Sequence, residues 1–265
     1  MNYKWLIKGL DKVPGGKTLM SLLYKYHRPV LAREVFGLNF SSPLGLGAGF
    51  DLKGKSYDIL AEMGLSFAEI GPISASNARS SVSHIIEKRS GCIPAVNITK
   101  GLHSDLDANI VKDYLDTFSL VYDFAEMFVL DFKDLDTDLE LVTEIVDGVL
   151  DIRLTSDEYK PVLIGLGYGR SEEELKILVD HCMMSGADGI VACGIENIKH
   201  ISEYSKGRWP IIAYDGIRTP EAALQLLDAG ASLLALKEEL LEFGPSHVKK
   251  ILKAIEKSEQ AKERK

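Results

Sequence analysis

Cysteine is scarce: three residues, Cys92, Cys182 and Cys193, in a chain of 265. Three scattered thiols cannot build a disulfide framework, and their spacing is not that of a zinc site. They read as small buried hydrophobes. That includes Cys193, which has no histidine beside it in sequence to activate a nucleophile. Positive charge is also in deficit. Lys and Arg number 31 against 39 Asp and Glu, a net charge of −8, which argues against general nucleic-acid binding. No apolar run reaches the ~18 residues of a spanning helix, and the N-terminus lacks the apolar core and small-residue cleavage site of a signal peptide. The six histidines stand apart, so no metal centre is expected. Low-complexity segments and short repeats are missing. What remains is 46% hydrophobic and 26% charged, an ordinary globular composition long enough to bury a core and expected in the cytoplasm.

Charge is unevenly spread. Residues 1–34 hold seven bases (Lys4, Lys8, Lys12, Lys17, Lys25, Arg28 and Arg33) against Asp11 and Glu34, leaving the remainder strongly acidic. Trp5, Leu6, Ile7, Leu10, Leu19, Met20, Leu22 and Leu23 are interleaved with these bases. The pattern predicts two short amphipathic helices broken at Pro14-Gly15-Gly16. Such a pair either caps one end of the main domain or rests on an anionic membrane surface, peripheral on its inner face.

From residue 35 to 258, short apolar runs alternate with helix-sized stretches. The runs are Leu44–Ala48, Phe67–Ile70, Ala95–Ile98, Met127–Leu130, Val162–Leu166, Gly189–Ala192, Ile211–Ala213 and Leu233–Leu236. Between them, Tyr57–Met63 is helix-like. Glu172–Met184 carries a capping box, with Ser171 and Glu174. Thr219-Pro220-Glu221 opens a further helix that Gly230 closes, and Gly244–Lys257 forms the last. Continuous apolar strands joined by helices predict a parallel sheet covered on both faces. Eight units predict an α/β fold of the (β/α)8 TIM-barrel type, with a doubly wound open sheet as the runner-up. Residues 259–265 are charged and expected to fray.

In such a barrel, chemistry sits just after each strand. The rim read this way carries Gly49-Phe50-Asp51, Gly71-Pro72, Asn97 through Lys100, Asp131-Phe132-Lys133, Gly167-Tyr168-Gly169, Cys193-Gly194, Tyr214-Asp215-Gly216 and Lys237-Glu238-Glu239. Lys53, Asn97, Lys100, Asp131, Lys133 and Tyr214 are the candidate pocket residues. A solvated charged rim accounts for them too and is the preferred reading. Gly45-x-Gly47-x-Gly49 suggests either a dinucleotide loop or close backbone approach at the barrel mouth.

The run from Leu31 to Asp51, with Pro43-Leu-Gly-Leu-Gly-Ala-Gly-Phe-Asp51 at its end, resembles the barrel entry of dihydroorotate dehydrogenase. Met63-Gly64, Glu69-Ile70-Gly71, Asn97-Ile98, Ser171 to Leu175, Ala187-Asp188-Gly189, Pro210-Ile-Ile212, Ala229-Gly-Ala-Ser232 and Gly244-Pro245 extend the resemblance in order along the chain. The basic extension is similar to that of the membrane-associated, quinone-using class. The resemblance implies an FMN-binding (β/α)8 barrel that oxidises dihydroorotate to orotate in pyrimidine biosynthesis, with quinone reoxidising the flavin.

Measured against that family, most functional positions are changed. Leu52 replaces a lysine, with Lys53 one residue late. Pro72 replaces the threonine after Gly71. The long substrate loop with its asparagines is not found, and Asp131-Phe132-Lys133-Asp134 replaces an asparagine and serine motif, so no serine base can be assigned. Gly165 replaces a lysine that serves the flavin, and Cys193-Gly194-Ile195 replaces Asn-Thr-Thr. The family rests the FMN phosphate on glycine-rich backbone after the seventh and eighth strands. Here those turns read Asp215-Gly216-Ile217 and Lys237-Glu238-Glu239. Ala48, Gly49, Gly71, Gly165, Gly194, Asp215, Gly216, Lys237 and Glu238 thus form a degraded cofactor site, with acids set toward a dianion. The expectation is a divergent, noncatalytic or repurposed oxidoreductase-family barrel with no FMN and an unidentified small-molecule ligand. The alternative is an active FMN enzyme.

Overall fold

The computed structural model describes residues 3–82, 91–101, 107–133, 135, 139–167 and 171–264. Asp134, Tyr168 and Gly169, named above, lie outside them. Two helices open the chain, α1 (Tyr3–Lys12) and α2 (Gly16–Tyr24), followed by a hairpin, β1 (Arg33–Val35) and β2 (Leu38–Phe40). The barrel then runs β3 (Leu44–Asp51), α3 (Tyr57–Ala61), β4 (Phe67–Ile73), α4 (Ala78–Val82), β5 (Ile93–Ile98), α5 (Asp107–Val121), β6 (Met127–Asp131) and α6 (Leu139–Leu154). It continues through β7 (Val162–Gly165), α7 (Glu172–Ser185), β8 (Gly189–Ala192), α8 (Ile195–Ser205), β9 (Ile211–Tyr214), α9 (Pro220–Asp228), β10 (Leu233–Leu236), α10 (Glu238–Phe243) and α11 (Pro245–Glu263).

Strands β3 to β10 pair in parallel and in sequence order, and β10 closes on β3. The fold is a (β/α)8 barrel; the open-sheet alternative is excluded by that closure. The eight apolar runs are its eight strands. Their outward residues pack on the helices in one large core, which includes Leu44, Leu46, Ile70, Val96, Ile164 and Leu236. Inward residues form a second, smaller cluster: Phe67, Ala95, Val129, Leu163, Val191, Ile212 and Ala235. The hairpin completes this inner cluster with Val35 and Phe40, joined by Phe36 and Leu38. It plugs the N-terminal end of the barrel. Gly189, at the start of β8, leaves room for the Phe36 ring, since a Cβ there would lie 2.4 Å from it.

The capping box of α7 is present. Ser171 Oγ accepts from Glu174 N–H, and the Glu174 carboxylate accepts from Ser171 N–H. Thr219 caps α9 in the same sense, accepting from Ala222 N–H, with Pro220 in the first turn. The C-terminal tail departs from expectation. Helix α11 continues to Glu263 rather than fraying from residue 259, because Arg33 donates to Glu259 at 2.9 Å and Lys262 lies 3.3 Å from Asp228.

The basic extension caps the barrel's flank. Its cations pair with acids of the main domain: Lys17 with Asp58 at 2.6 Å, Lys25 with Glu62 at 3.0 Å, Arg28 with Glu256 at 3.5 Å and Arg33 with Glu259. Lys4 and Lys8 stand over the Phe50 ring. Ile7 and Met20 are fully buried, anchoring one face of each helix. Each partly exposed ion pair is worth little alone, so the apolar anchors carry most of the docking. The charge asymmetry between extension and remainder is therefore largely a docking seam. Among the described residues no helix is long and apolar enough to cross a membrane.

Candidate active site

Side chains alternate along a strand, so the residue two positions beyond each inward apolar residue also points inward, one layer nearer the mouth. Phe67 leads to Glu69, Ala95 to Asn97, Val129 to Asp131, Leu163 to Gly165, Val191 to Cys193, Ile212 to Tyr214 and Ala235 to Lys237. All seven of these second residues line one cavity of about 420 Å³ at the C-terminal ends of the strands. Ala48, Gly49, Pro72, Lys133 and Asp215 complete much of its rim.

Of the six residues expected in the pocket, Asn97, Asp131, Lys133 and Tyr214 line it, and Lys53 and Lys100 do not. Lys53 and its neighbour Leu52 are exposed on the loop after β3. That loop is folded back by Asp51, which is buried and accepts from Lys55 N–H at 3.0 Å and Ser56 N–H at 2.6 Å. A lysine one residue late thus does not recover the missing position. Among the cofactor-site positions, Ala48, Gly49, Gly165, Asp215 and Lys237 line the cavity, but Gly71, Gly194, Gly216 and Glu238 do not. Glu238 is exposed at the start of α10.

The glycine run on β3 is explained by close approach and not by a dinucleotide loop. A Cβ on Gly45 would lie 2.2 Å from the Phe67 ring, and one on Gly47 would lie 1.9 Å from the Tyr214 ring. Tyr214 lies across the mouth, its hydroxyl donating to Ala48 O at 3.2 Å. Lys237 Nζ sits 5.2 Å from the centre of the Tyr214 ring. Burial first, then the nearby carboxylates of Glu69 and Asp131, raise the Tyr214 hydroxyl far above the usual tyrosine range, so it is a neutral donor. Asp131 is tied to Lys133, accepting from its N–H at 3.1 Å and lying 3.5 Å from its ammonium. Cys193 is buried in the wall.

Glu69 was not singled out as a site residue from sequence. It is 1% exposed. Asn97 Nδ2 donates to its Oε2 at 3.0 Å, while Oε1 has no partner in hydrogen-bond geometry among the described residues. Burial pushes its carboxyl up to about 7, with Asp131 adding to the effect and the Asn97 bond opposing it. The available signal was an acid inside an apolar strand, Phe67-Ala-Glu-Ile70.

The turns after β9 and β10 present backbone N–H groups side by side, as a phosphate cradle does. Three of those donors, on Gly216, Ile217 and Lys237, are already engaged. Glu239 is 1% exposed, and its two carboxylate oxygens accept separately from Ile217 N–H and Lys237 N–H, each at 3.0 Å. Gly216 N–H donates to Asp215 Oδ1 at 2.7 Å. Backbone donors of the kind a flavin phosphate would need at these turns are thus taken by carboxylates of the chain itself.

A family model for dihydroorotate dehydrogenase matches residues 179–258, the stretch that carries both of these turns. Two curated relatives named dihydroorotate dehydrogenase (quinone) match nearly the whole chain. The one from Hamiltonella defensa is 24% identical, covering 96% of this chain and 95% of its own. The one from Christiangramia forsetii is 25% identical, covering 92% and 90%. The chain is thus similar to quinone-dependent dihydroorotate dehydrogenases along nearly its whole length. The fold agrees: the crystal structure of the Eimeria tenella dihydroorotate dehydrogenase in complex with ferulenol superimposes with a TM-score of 0.81 at 18% identity, covering 98% of this chain and 93% of that one. The match to the Hamiltonella dihydroorotate dehydrogenase runs over 322 positions, more than the 265 residues of this chain. That relative thus carries insertions this chain lacks.

Proposed function

We propose that this barrel no longer oxidises dihydroorotate through FMN and is a noncatalytic or repurposed member of its family, with a mouth cavity that takes a small molecule. The observation that carries this reading is the engagement of the cradle's N–H groups by Glu239 and Asp215. Several further differences support it. No serine stands between Asp131 and Ser156 to act as a base. Gly165 and Cys193 occupy the cavity wall where the resemblance asks for a lysine and an asparagine. An FMN site works by several such contacts together, and losing them together lowers affinity by orders of magnitude. The protein's share of flavin chemistry is binding, orientation and charge, and each of these is altered.

Purified protein should be colourless and should take up no flavin on incubation with FMN. A yellow preparation releasing one equivalent of FMN would overturn the reading. It would favour the alternative: a working FMN- and quinone-dependent dihydroorotate dehydrogenase, the activity named for the relatives. We further infer contact of residues 1–34 with an anionic membrane surface. Trp5, Val13 and Leu22 are 86%, 57% and 80% exposed on the outer side of the helix pair, an arrangement that suits an interfacial helix.

A further inference from the structure

We propose that Glu239 is a built-in occupant of the ancestral phosphate cradle, a tethered carboxylate that makes the bonds a bound phosphate monoester would otherwise make. The proposal rests on the functional reading above but concerns what replaced the ligand. A barrel whose two adjacent turns expose converging N–H groups must satisfy them with ligand, water or its own side chains. Simple loss of a ligand would leave these donors to water. In this molecule a single buried carboxylate bridges the two turns, one oxygen to each.

The surroundings fix it in place. His247, buried on α11, bonds Ile217 O through Nε2 at 2.8 Å, so Ile217 is held on its carbonyl side while its N–H, in the preceding peptide group, donates to Glu239. Asp215 and Gly216 both adopt left-handed backbone, φ 72° and 77°, which turns the chain tightly enough to present Ile217 N–H toward β10. Glu239 lies two residues after Lys237, one of its donors, so the start of α10 loops its own carboxylate back onto the strand end. Glu238, one position earlier, is exposed. The substitution that excludes phosphate is therefore Glu239, acting by occupancy as well as by charge, while Glu238 is dispensable.

The experiment uses full-length protein in thermal denaturation, with inorganic phosphate as the probe against chloride of matched ionic strength. Wild type should show no phosphate-specific shift. Glu239→Ala should melt lower in chloride and regain several degrees in ~10 mM phosphate, as expected for a ligand that binds only the folded state. Glu238→Ala should behave as wild type. Equal phosphate responses in wild type and Glu239→Ala, or no response in Glu239→Ala, would overturn the proposal. Should Glu239→Ala fail to fold, Glu239→Gln keeps the volume but presents an amide NH₂ to one of the two N–H groups. Amide hydrogen exchange at Ile217 or Lys237 should then quicken at least ~10-fold relative to wild type. Unchanged exchange at both would sink the proposal. Flavin in the wild-type protein would overturn both the functional reading and the exclusion of phosphate by Glu239, whereas a flavin-free wild type whose Glu239→Ala variant gains no phosphate response would overturn this proposal alone.

Discussion

A carboxyl at the centre of a parallel barrel has little water to solvate its charge, and Glu69 responds by holding its proton to about pH 7. The sign of the consequence follows. The unfolded chain releases this proton near 4.5, the folded chain only near 7, so between those values the folded state binds more protons. Stability contributed by Glu69 is full below about pH 4.5 and falls as pH rises toward 7, by on the order of 3 kcal/mol at most. Glu69→Gln should flatten urea-measured stability across that interval; an unchanged pH slope would show that another group titrates there. The residue scale is also where sequence reading was least informative. That Asp215, Glu238 and Glu239 flank the cradle was legible. Which of them turned inward depends on the phase of α10 relative to β10, and no composition or spacing fixes that phase.

At the scale of elements, the parallel strands wrote themselves plainly, because a strand buried on both faces is a continuous apolar run. The hairpin β1–β2 did not. Arg33-Glu-Val and Leu-Asn-Phe are three-residue strands with one exposed polar residue each, too short for a period to show. Two contacts between elements invite tests. Gly47→Ala places a methyl within 1.9 Å of the Tyr214 ring and should cost about 1–3 kcal/mol in denaturant unfolding. The penalty should shrink in the background of Tyr214→Ala, a coupling that a double-mutant cycle reads directly. Between α6 and the start of β8, Arg153 donates to Asp188 at 2.6 Å and to Gly186 O at 2.9 Å, and Asp188 also accepts from Val162 N–H at 2.8 Å. Both side chains are largely buried. Arg153→Met leaves Asp188 without its charge partner and should cost about 3–5 kcal/mol, seen as a lower denaturant midpoint with an unchanged slope.

For the whole molecule, the helix pair was legible as an amphipathic unit, but its docking was not. Only the fold shows that Lys17, Lys25, Arg28 and Arg33 reach acids of the barrel, so the charge excess points largely inward. Any bilayer contact must then rely chiefly on the exposed apolar residues of the pair, of which Trp5, Val13 and Leu22 are the most exposed. Replacing Trp5 and Leu22 together by Glu should abolish sedimentation with anionic vesicles and leave the melting temperature nearly unchanged, since both side chains are exposed. Equal sedimentation of the two proteins would remove the membrane reading.

The aromatic stopper formed by Phe36 and Phe40 has a last consequence. It seals the N-terminal end of a barrel whose interior is already packed with side chains. A molecule held beside Tyr214 would therefore reach it from the C-terminal ends of the strands and not from beneath.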